Sequence, residues 1–337
     1  MSLINKSDKV FVAGHKGMAG RAICKSLIKS GYCNSEFGGS LITKEKKELN
    51  LLDNYAVINF FQKERPDIVI LSAAKVGGIY ANKQFSGDFI LENLKIQTNV
   101  IEESWRSGVR RLLFLGSSCI YPKFAQQPIV EEELMTGELE STNSAYAIAK
   151  ISGIKLINSL RDQYGFDGIN LMPTNLYGPG DNYHKSDSHV MASLIRKFYE
   201  AKKEGKKEVV CWGSGKPLRE FLHSDDLGDA CVFALEKWNP MDVNSPKNIK
   251  GETLNLLNVG SGIDITIKEL AETIAKLTEF SGKIIWDTSM PDGTPRKLID
   301  VSRLKEMGWQ AKISLEDGLN RTIREFSDMY SKSTLRL

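Results

Sequence analysis

Gly14-His15-Lys16-Gly17-Met18-Ala19-Gly20 stands directly after a short apolar run, Lys9-Val10-Phe11-Val12-Ala13, and directly before a helical stretch over 17–30. No other segment constrains the fold as tightly. Glycine lets the backbone approach a pyrophosphate, and the helix N-terminus behind it is electropositive. The apolar run suits a strand covered on both faces. The alternation continues, with strands near 40–43 and at 68–71, 111–115 and 169–172. Between them fall helices near 54–63, at 93–107 and over a stretch ending at Tyr164. Strands and helices taken in turn predict an α/β protein with a doubly wound parallel sheet, whose ligands bind beyond the strand C-termini. Gly14, Ser117 and Pro173 all fall at such ends.

Ser117 and Tyr146-x-x-x-Lys150 supply groups for hydride transfer. Lys150 is one helical turn beyond Tyr146, so the two share a face. A phenol ordinarily ionises near pH ~10, and a neighbouring ammonium is expected to draw it toward neutrality. A serine hydroxyl can hold a carbonyl against the tyrosine. Simple hydride transfer has no need of Cys119 in Ser117-Ser118-Cys119. A thiol ionises near pH ~8.5, and nearby positive charge lowers that value. Taken singly, each feature has a plain structural reading. Tyr-x-x-x-Lys is a common helical spacing, a strand-end cysteine is often a small buried apolar residue, and His189 suits a helix start. Their coincidence with the glycine loop favours a site.

The end of the second strand selects the cofactor, since an acidic residue there would hold the ribose 2′-hydroxyl of NAD. The chain has Ile42-Thr43-Lys44-Glu45-Lys46-Lys47. Lys44 and Lys16 form a basic cluster suited to the 2′-phosphate of NADP, while Glu45 keeps NAD open. Asp53 is placed to accept from the adenine amine. Small residues in Ala73-Ala74-Lys75-Val76-Gly77-Gly78 let the backbone lie near a cofactor. Pro173-Thr174-Asn175-Leu176 is placed to flank its nicotinamide.

The 337 residues allow one large or two medium domains. With 45 basic and 42 acidic residues the net charge is +3, which argues against a bulk nucleic-acid binder and permits a local basic pocket. Cysteines 24, 33, 119, 211 and 231 form no C-x-x-C pair and read as reduced thiols of a cytoplasmic protein. No apolar run reaches the roughly 18 residues of a membrane helix, and the N-terminus shows no signal-peptide core. His184, Asp187 and His189 have no thiol or H-E-x-x-H partner, so no metal is expected. Beyond Pro173 the pattern loosens, with helices near 188–203, 225–236, 267–278 and 315–330 and strands at 218–222 and 283–286. The expected division is an NADP-binding domain over 1–174, to which segments near 218–236 return, and a smaller α/β substrate-binding domain over 175–337.

These motifs resemble the extended short-chain dehydrogenase/reductase family of nucleotide-sugar enzymes. The resemblance is carried by the glycine loop, the 73–78 loop, Leu115-Gly116-Ser117-Ser118-Cys119-Ile120-Tyr121-Pro122, Tyr146-Ala147-Ile148-Ala149-Lys150 and Pro173-Thr174-Asn175-Leu176-Tyr177-Gly178-Pro179. It continues in Ser188-His189-Val190, Trp212-Gly213-Ser214-Gly215, Arg219-Glu220-Phe221-Leu222-His223 and Pro291-Asp292-Gly293-Thr294-Pro295-Arg296-Lys297. Together they cover nearly the whole chain. The glycine loop and Tyr-x-x-x-Lys are shared across the superfamily; Ser-Ser-Cys with Ser-His-Val is similar to its 3,5-epimerase/4-reductase branch.

The resemblance implies a Rossmann-type sheet, NADPH as cofactor and GDP-4-keto-6-deoxy-D-mannose as substrate. It implies Cys119 as base and His189 as acid in epimerisation. Tyr146 is then the acid in reduction, with Lys150 supporting it and Ser117 on the carbonyl. Leu115, Gly116, Ser117, Ser118, Lys150 and His189 are implied cofactor contacts, and Lys197, Trp212, Arg219 and Asp292 are implied substrate contacts. Arg219 suits the diphosphate by its forked geometry. Some relatives have arginine at position 197, where lysine keeps the charge and loses the fork. Trp212 also reads as domain-interface core. A homodimer paired through helices 93–107 and 144–163 is implied. One alternative is a 4-epimerase or 4,6-dehydratase of the same fold, although a dehydratase is expected to carry Asp-Glu where Ser118-Cys119 stands. The other is a non-catalytic NADP-sensing protein, which is expected to have lost the tyrosine or lysine.

Overall fold

The computed structural model describes residues 2–185, 188–290 and 292–336; Asp187 and Pro291, named above, lie outside them. The first half runs β1 (Lys9–Ala13), α1 (Met18–Lys29), β2 (Ser40–Ile42), α2 (Asn54–Glu64), β3 (Ile68–Leu71), α3 (Ile79–Gln84), α4 (Ser86–Arg106), β4 (Arg111–Leu115), α5 (Ser144–Tyr164) and β5 (Gly168–Pro173). The second half runs β6 (Asn175–Tyr177), α6 (Val190–Lys203), β7 (Glu208–Trp212), β8 (Leu218–His223), α7 (Ser224–Lys237), β9 (Leu256–Val259), β10 (Asp264–Thr266), α8 (Ile267–Leu277), β11 (Lys283–Asp287), β12 (Arg296–Lys297), α9 (Ser302–Glu306) and α10 (Leu315–Ser331).

Six strands pair in parallel in the order β2-β1-β3-β4-β5-β9. Val10 lies opposite Ile68, Ile70 opposite Leu113, and Leu113 opposite Ile169. Successive side chains point to opposite faces. Val10, Val12, Ile70 and Leu113 pack with Ile23 and Leu27 of α1 and Leu227 and Leu235 of α7. Phe11, Val69, Leu112 and Phe114 pack with Phe61 of α2, Val100 of α4 and Ile154 and Ile157 of α5. Both faces are covered, which is why these strands read as unbroken apolar runs. Among the described residues no helix is long and apolar enough to cross a membrane.

Several elements differ from the sequence expectation. The helix expected at 93–107 begins at Ser86, with α3 before it. Asn93 is a buried mid-helix residue, not a helix start. Its amide clasps the 73–78 loop, accepting from Lys75 N at 2.9 Å and donating to Lys75 O at 3.0 Å. Strand β9 comes from the second half and closes the large sheet beside β5. Of the stretch 218–236, α7 lies along α1, with Ser26 donating to Asp229 at 2.7 Å. The strand before it, β8, belongs instead to the smaller sheet, between β10 and β12, with β6 also pairing to it. Strand β7 was hidden by the charged run before it; it pairs with β11.

Glu220 organises this smaller sheet. It is 0% exposed. One carboxylate oxygen accepts from Gly262 N at 2.7 Å and the other from Ile299 N at 3.1 Å, which ties β8 to the β9–β10 turn and to the end of β12. Its carbonyl accepts from Asn175 Nδ2 at 2.7 Å. Removing a buried acceptor leaves its donors unpaired, at about 1–3 kcal/mol each. Glu220→Ala is therefore expected to lower the urea-unfolding free energy by at least about 2 kcal/mol. A change within about 0.5 kcal/mol, the range of a neutral surface substitution, would contradict the clasp.

Candidate active site

The order of strands reverses between β1 and β3, and the glycine loop lies at that switch point. Gly14 has φ +93°, and a Cβ on it would stand 2.7 Å from Ala73 N; a Cβ on Gly20 would stand 2.2 Å from Gly14 O. The three-glycine spacing thus allows α1 to start hard against β1. Gly17 caps α1 without a side-chain acceptor, so first-turn amides can meet an anion. His15 Nδ1 is buried and has no hydrogen-bond partner among the described residues. Met18 opens the helix and Ala19 packs on the core. This cradle fits the phosphates of a dinucleotide.

At the ribose edge the lysines are already engaged. Lys16 Nζ is 2.6 Å from Glu45 Oε1, Lys47 Nζ 3.4 Å from Glu45 Oε2, and Lys44 Nζ 3.1 Å from Glu64. Asp53, expected near an adenine, is the N-cap of α2, where Oδ1 accepts from Ala56 N at 3.2 Å. Pro173 ends β5 opposite Val259. Thr174 is buried, its hydroxyl donating to Glu220 O at 3.4 Å, and Leu176 packs on the sheet core.

Ser117, Cys119, Tyr146 and Lys150 converge beyond the end of β4. Ser117 caps the short turn Ser118–Ile120. The Cys119 thiol donates to Ser117 Oγ at 3.0 Å. A Cβ on Gly116 would stand 2.3 Å from Met172 Sδ, so that side chain would have to shift. Lys150 is buried, and its ammonium donates to Leu115 O at 2.7 Å. That ammonium lies 4.6 Å over the Phe114 ring and 5.8 Å over the Tyr146 ring.

The electrostatics differ from the expectation of a phenol drawn toward neutrality. Burial, and then the charge of Cys119, push the Tyr146 phenol well above its ordinary value. Burial also lowers the Lys150 ammonium to about 8, against the opposing pull of Cys119. The lysine is spent on the Leu115 carbonyl and the face of the ring, and low polarity disfavours both charged forms. A phenol so raised keeps its proton, which is the form a proton donor needs.

His189 caps α6 and holds the backbone of its first turn through Ser193 N at 2.9 Å. Its side chain reaches solvent, yet enough of the chain surrounds it that desolvation holds the imidazole below its ordinary value. Among the described residues no hydrogen bond joins it to Cys119, and no group of three or more His, Cys, Asp or Glu is arranged to hold a metal.

The proposed substrate contacts form a run of neighbours. Lys197 lies 5.3 Å over the Trp212 ring and donates to Val210 O at 3.2 Å. Trp212 is 55% exposed, which removes the domain-interface reading. Asp292 accepts from Ser214 N at 2.6 Å and Ser214 Oγ at 2.7 Å, fixing the turn after Trp212. Arg219 donates to Leu218 O at 2.8 Å, and its guanidinium is lowered by burial against the attraction of Asp292 and Glu140.

In the sequence, Lys297 is distinguished only as the end of the 291–297 motif. It lies directly opposite Arg219 on the neighbouring strand. Burial lowers its ammonium, and it feels the charges of Cys119, Arg219 and Glu140. A two-residue strand offers no periodicity, so spacing alone does not single this lysine out.

The fold and site define an NAD(P)-dependent enzyme acting on a carbonyl: the chain belongs to the NAD dependent epimerase/dehydratase family, whose model matches residues 10–249. More particularly, it is 52% identical over 321 residues to GDP-L-fucose synthase 1 of Arabidopsis thaliana, covering 95% of this chain and 94% of that one. It is 50% identical over 319 residues to the GDP-L-fucose synthase of Escherichia coli K12, covering 95% and 96%. The crystal structure of a GDP-L-fucose synthetase from Naegleria fowleri bound to NADP superposes with TM-score 0.83 at 27% identity, covering 99% and 98%.

The Lys150 shift has a testable sign. Its folded value, about 8, is below the ordinary 10.5. Between these values the unfolded chain holds the extra proton, so this lysine's contribution to stability rises with pH across that window. Urea unfolding from pH 8 to pH 10.5 is expected to show the native chain gaining on the order of 2 kcal/mol relative to Lys150→Met. Parallel curves would contradict it.

Proposed function

We propose that this chain is a bifunctional NADPH-dependent 3,5-epimerase and 4-reductase that converts GDP-4-keto-6-deoxy-D-mannose to GDP-L-fucose. The observation that carries the reading is the 3.0 Å contact between the Cys119 thiol and the Ser117 hydroxyl. A simple reductase needs the serine alone; here a potential base shares its place. The 4-keto group acidifies the protons at C3 and C5. Cys119, as thiolate, removes each proton, and His189 returns one from the opposite face. NADPH supplies the hydride to C4. Tyr146 then gives its proton to the oxygen that develops there, while Ser117 holds that oxygen and Lys150 steadies the phenol.

Arg219 and Lys297, side by side on neighbouring strands, suit the diphosphate; Trp212, Lys197 and Asp292 border the nucleotide. In the same reading residues 1–174 with α7 and β9 hold the cofactor and the remainder holds the sugar nucleotide. The protein works as a cytoplasmic homodimer paired through α4 and α5. Free cysteines support the location, and Leu91, Ile148 and Tyr164, large side chains exposed on those helices, support the pairing.

Two variants separate the chemical steps. Cys119→Ser is expected to slow deuterium wash-in at C3 and C5 by at least about 100-fold, the usual worth of a positioned base. Tyr146→Phe is expected to slow NADPH oxidation by a similar factor, again about 100-fold, with wash-in largely kept. Unchanged wash-in in the first, or full turnover in the second, would overturn the corresponding role.

A further inference from the structure

We infer that Glu45 is a specificity-determining residue at the ribose 2′-position, an internal anion that occupies the lysines a 2′-phosphate would use and so narrows the preference for NADPH over NADH. The inference rests on reading the Gly14–Gly20 loop as the cofactor cradle.

Glu45 follows β2 by three residues, at the place where doubly wound folds read the ribose. Both its oxygens are engaged, one by Lys16 from the glycine loop at 2.6 Å and the other by Lys47 at 3.4 Å. Lys16 comes first among the causes that hold this carboxyl below its ordinary value. The turn that presents it is fixed locally: Glu45 N donates to Glu48 Oε2 at 2.8 Å and Glu48 N to Glu45 O at 2.8 Å. The remaining member of the cluster, Lys44, is held by Glu64 at 3.1 Å. Each of the three ammoniums (Lys16, Lys44, Lys47) thus has a carboxylate partner, Glu45 or Glu64.

A 2′-phosphate carries close to two negative charges. To reach Lys16 it must part that lysine from Glu45 and then lie beside the released carboxylate. A 2′-hydroxyl meets no such repulsion and can donate to the same carboxylate. One side chain thus hinders NADPH and favours NADH. The effect is modest, because Lys16 and Lys47 are largely exposed and Glu45 partly so, and exposed pairs are screened.

The test is equilibrium titration of the full chain with NADPH and with NADH, read by nicotinamide fluorescence, so that no turnover is required. Glu45→Gln is expected to bind NADPH roughly two- to fivefold more tightly than the native chain, and NADH no more tightly. The gain in NADPH affinity is expected to shrink as salt is raised. An unchanged NADPH-to-NADH affinity ratio, or weaker NADPH binding, would overturn the inference. A native chain that binds neither dinucleotide overturns the cradle as well. NADPH binding with the expected Glu45→Gln shift, but without turnover of the keto-sugar, refutes only the proposed reaction.

Discussion

The ammonium of Lys150 ends on the carbonyl of Leu115, and the chemistry of the site depends on that bond. It fastens the second turn of α5 to the carboxyl end of β4. Tyr146 is carried one turn before it on the same helix, and Ser117 and Cys119 follow β4 directly. Two elements separated by the 28 residues between β4 and α5 (residues 116–143) are thereby held in register at one point. The cost is a charge in a buried place, which appears as the lowered ammonium and the raised phenol.

The second half of the chain brings Arg219 and Lys297 together. It does so through one small sheet whose centre, β8, carries both Arg219 and the buried Glu220. Alternation along a strand assigns those two neighbours to opposite faces. Glu220 then locks the strand to backbone amides on both sides, so Arg219 and Lys297 meet across the β8–β12 pair.

Four strands of the large sheet, β1, β3, β4 and β5, were legible because they are buried, mostly apolar runs that stop at Gly14, Ser72, Gly116 and Pro173. Its last strand, β9, escaped notice; it carries a buried Asn258, as β5 carries a buried Asn170. Asn258 is fully buried, accepting from Tyr121 OH at 2.6 Å and donating to Ile129 O at 2.9 Å. The start of α4 was misplaced. Asn93 reads as a helix boundary, and only the folded chain reveals that its amide has the Lys75 backbone to bind. The residues proposed for catalysis were singled out by spacing and resemblance. Their charge states were not legible, because burial is a property of the packed chain; the spacing of Tyr146 and Lys150 suggested a lowered phenol, where packing gives a raised one. Lys297 was invisible for want of any pattern in its two-residue strand.

Proton NMR of the product formed from GDP-4-keto-6-deoxy-D-mannose and NADPH in deuterium oxide tests the central claim most directly. The account predicts a product inverted at C3 and C5, with deuterium at both and protium from NADPH at C4. A product reduced at C4 that keeps its original configuration and protium at C3 and C5 would contradict it.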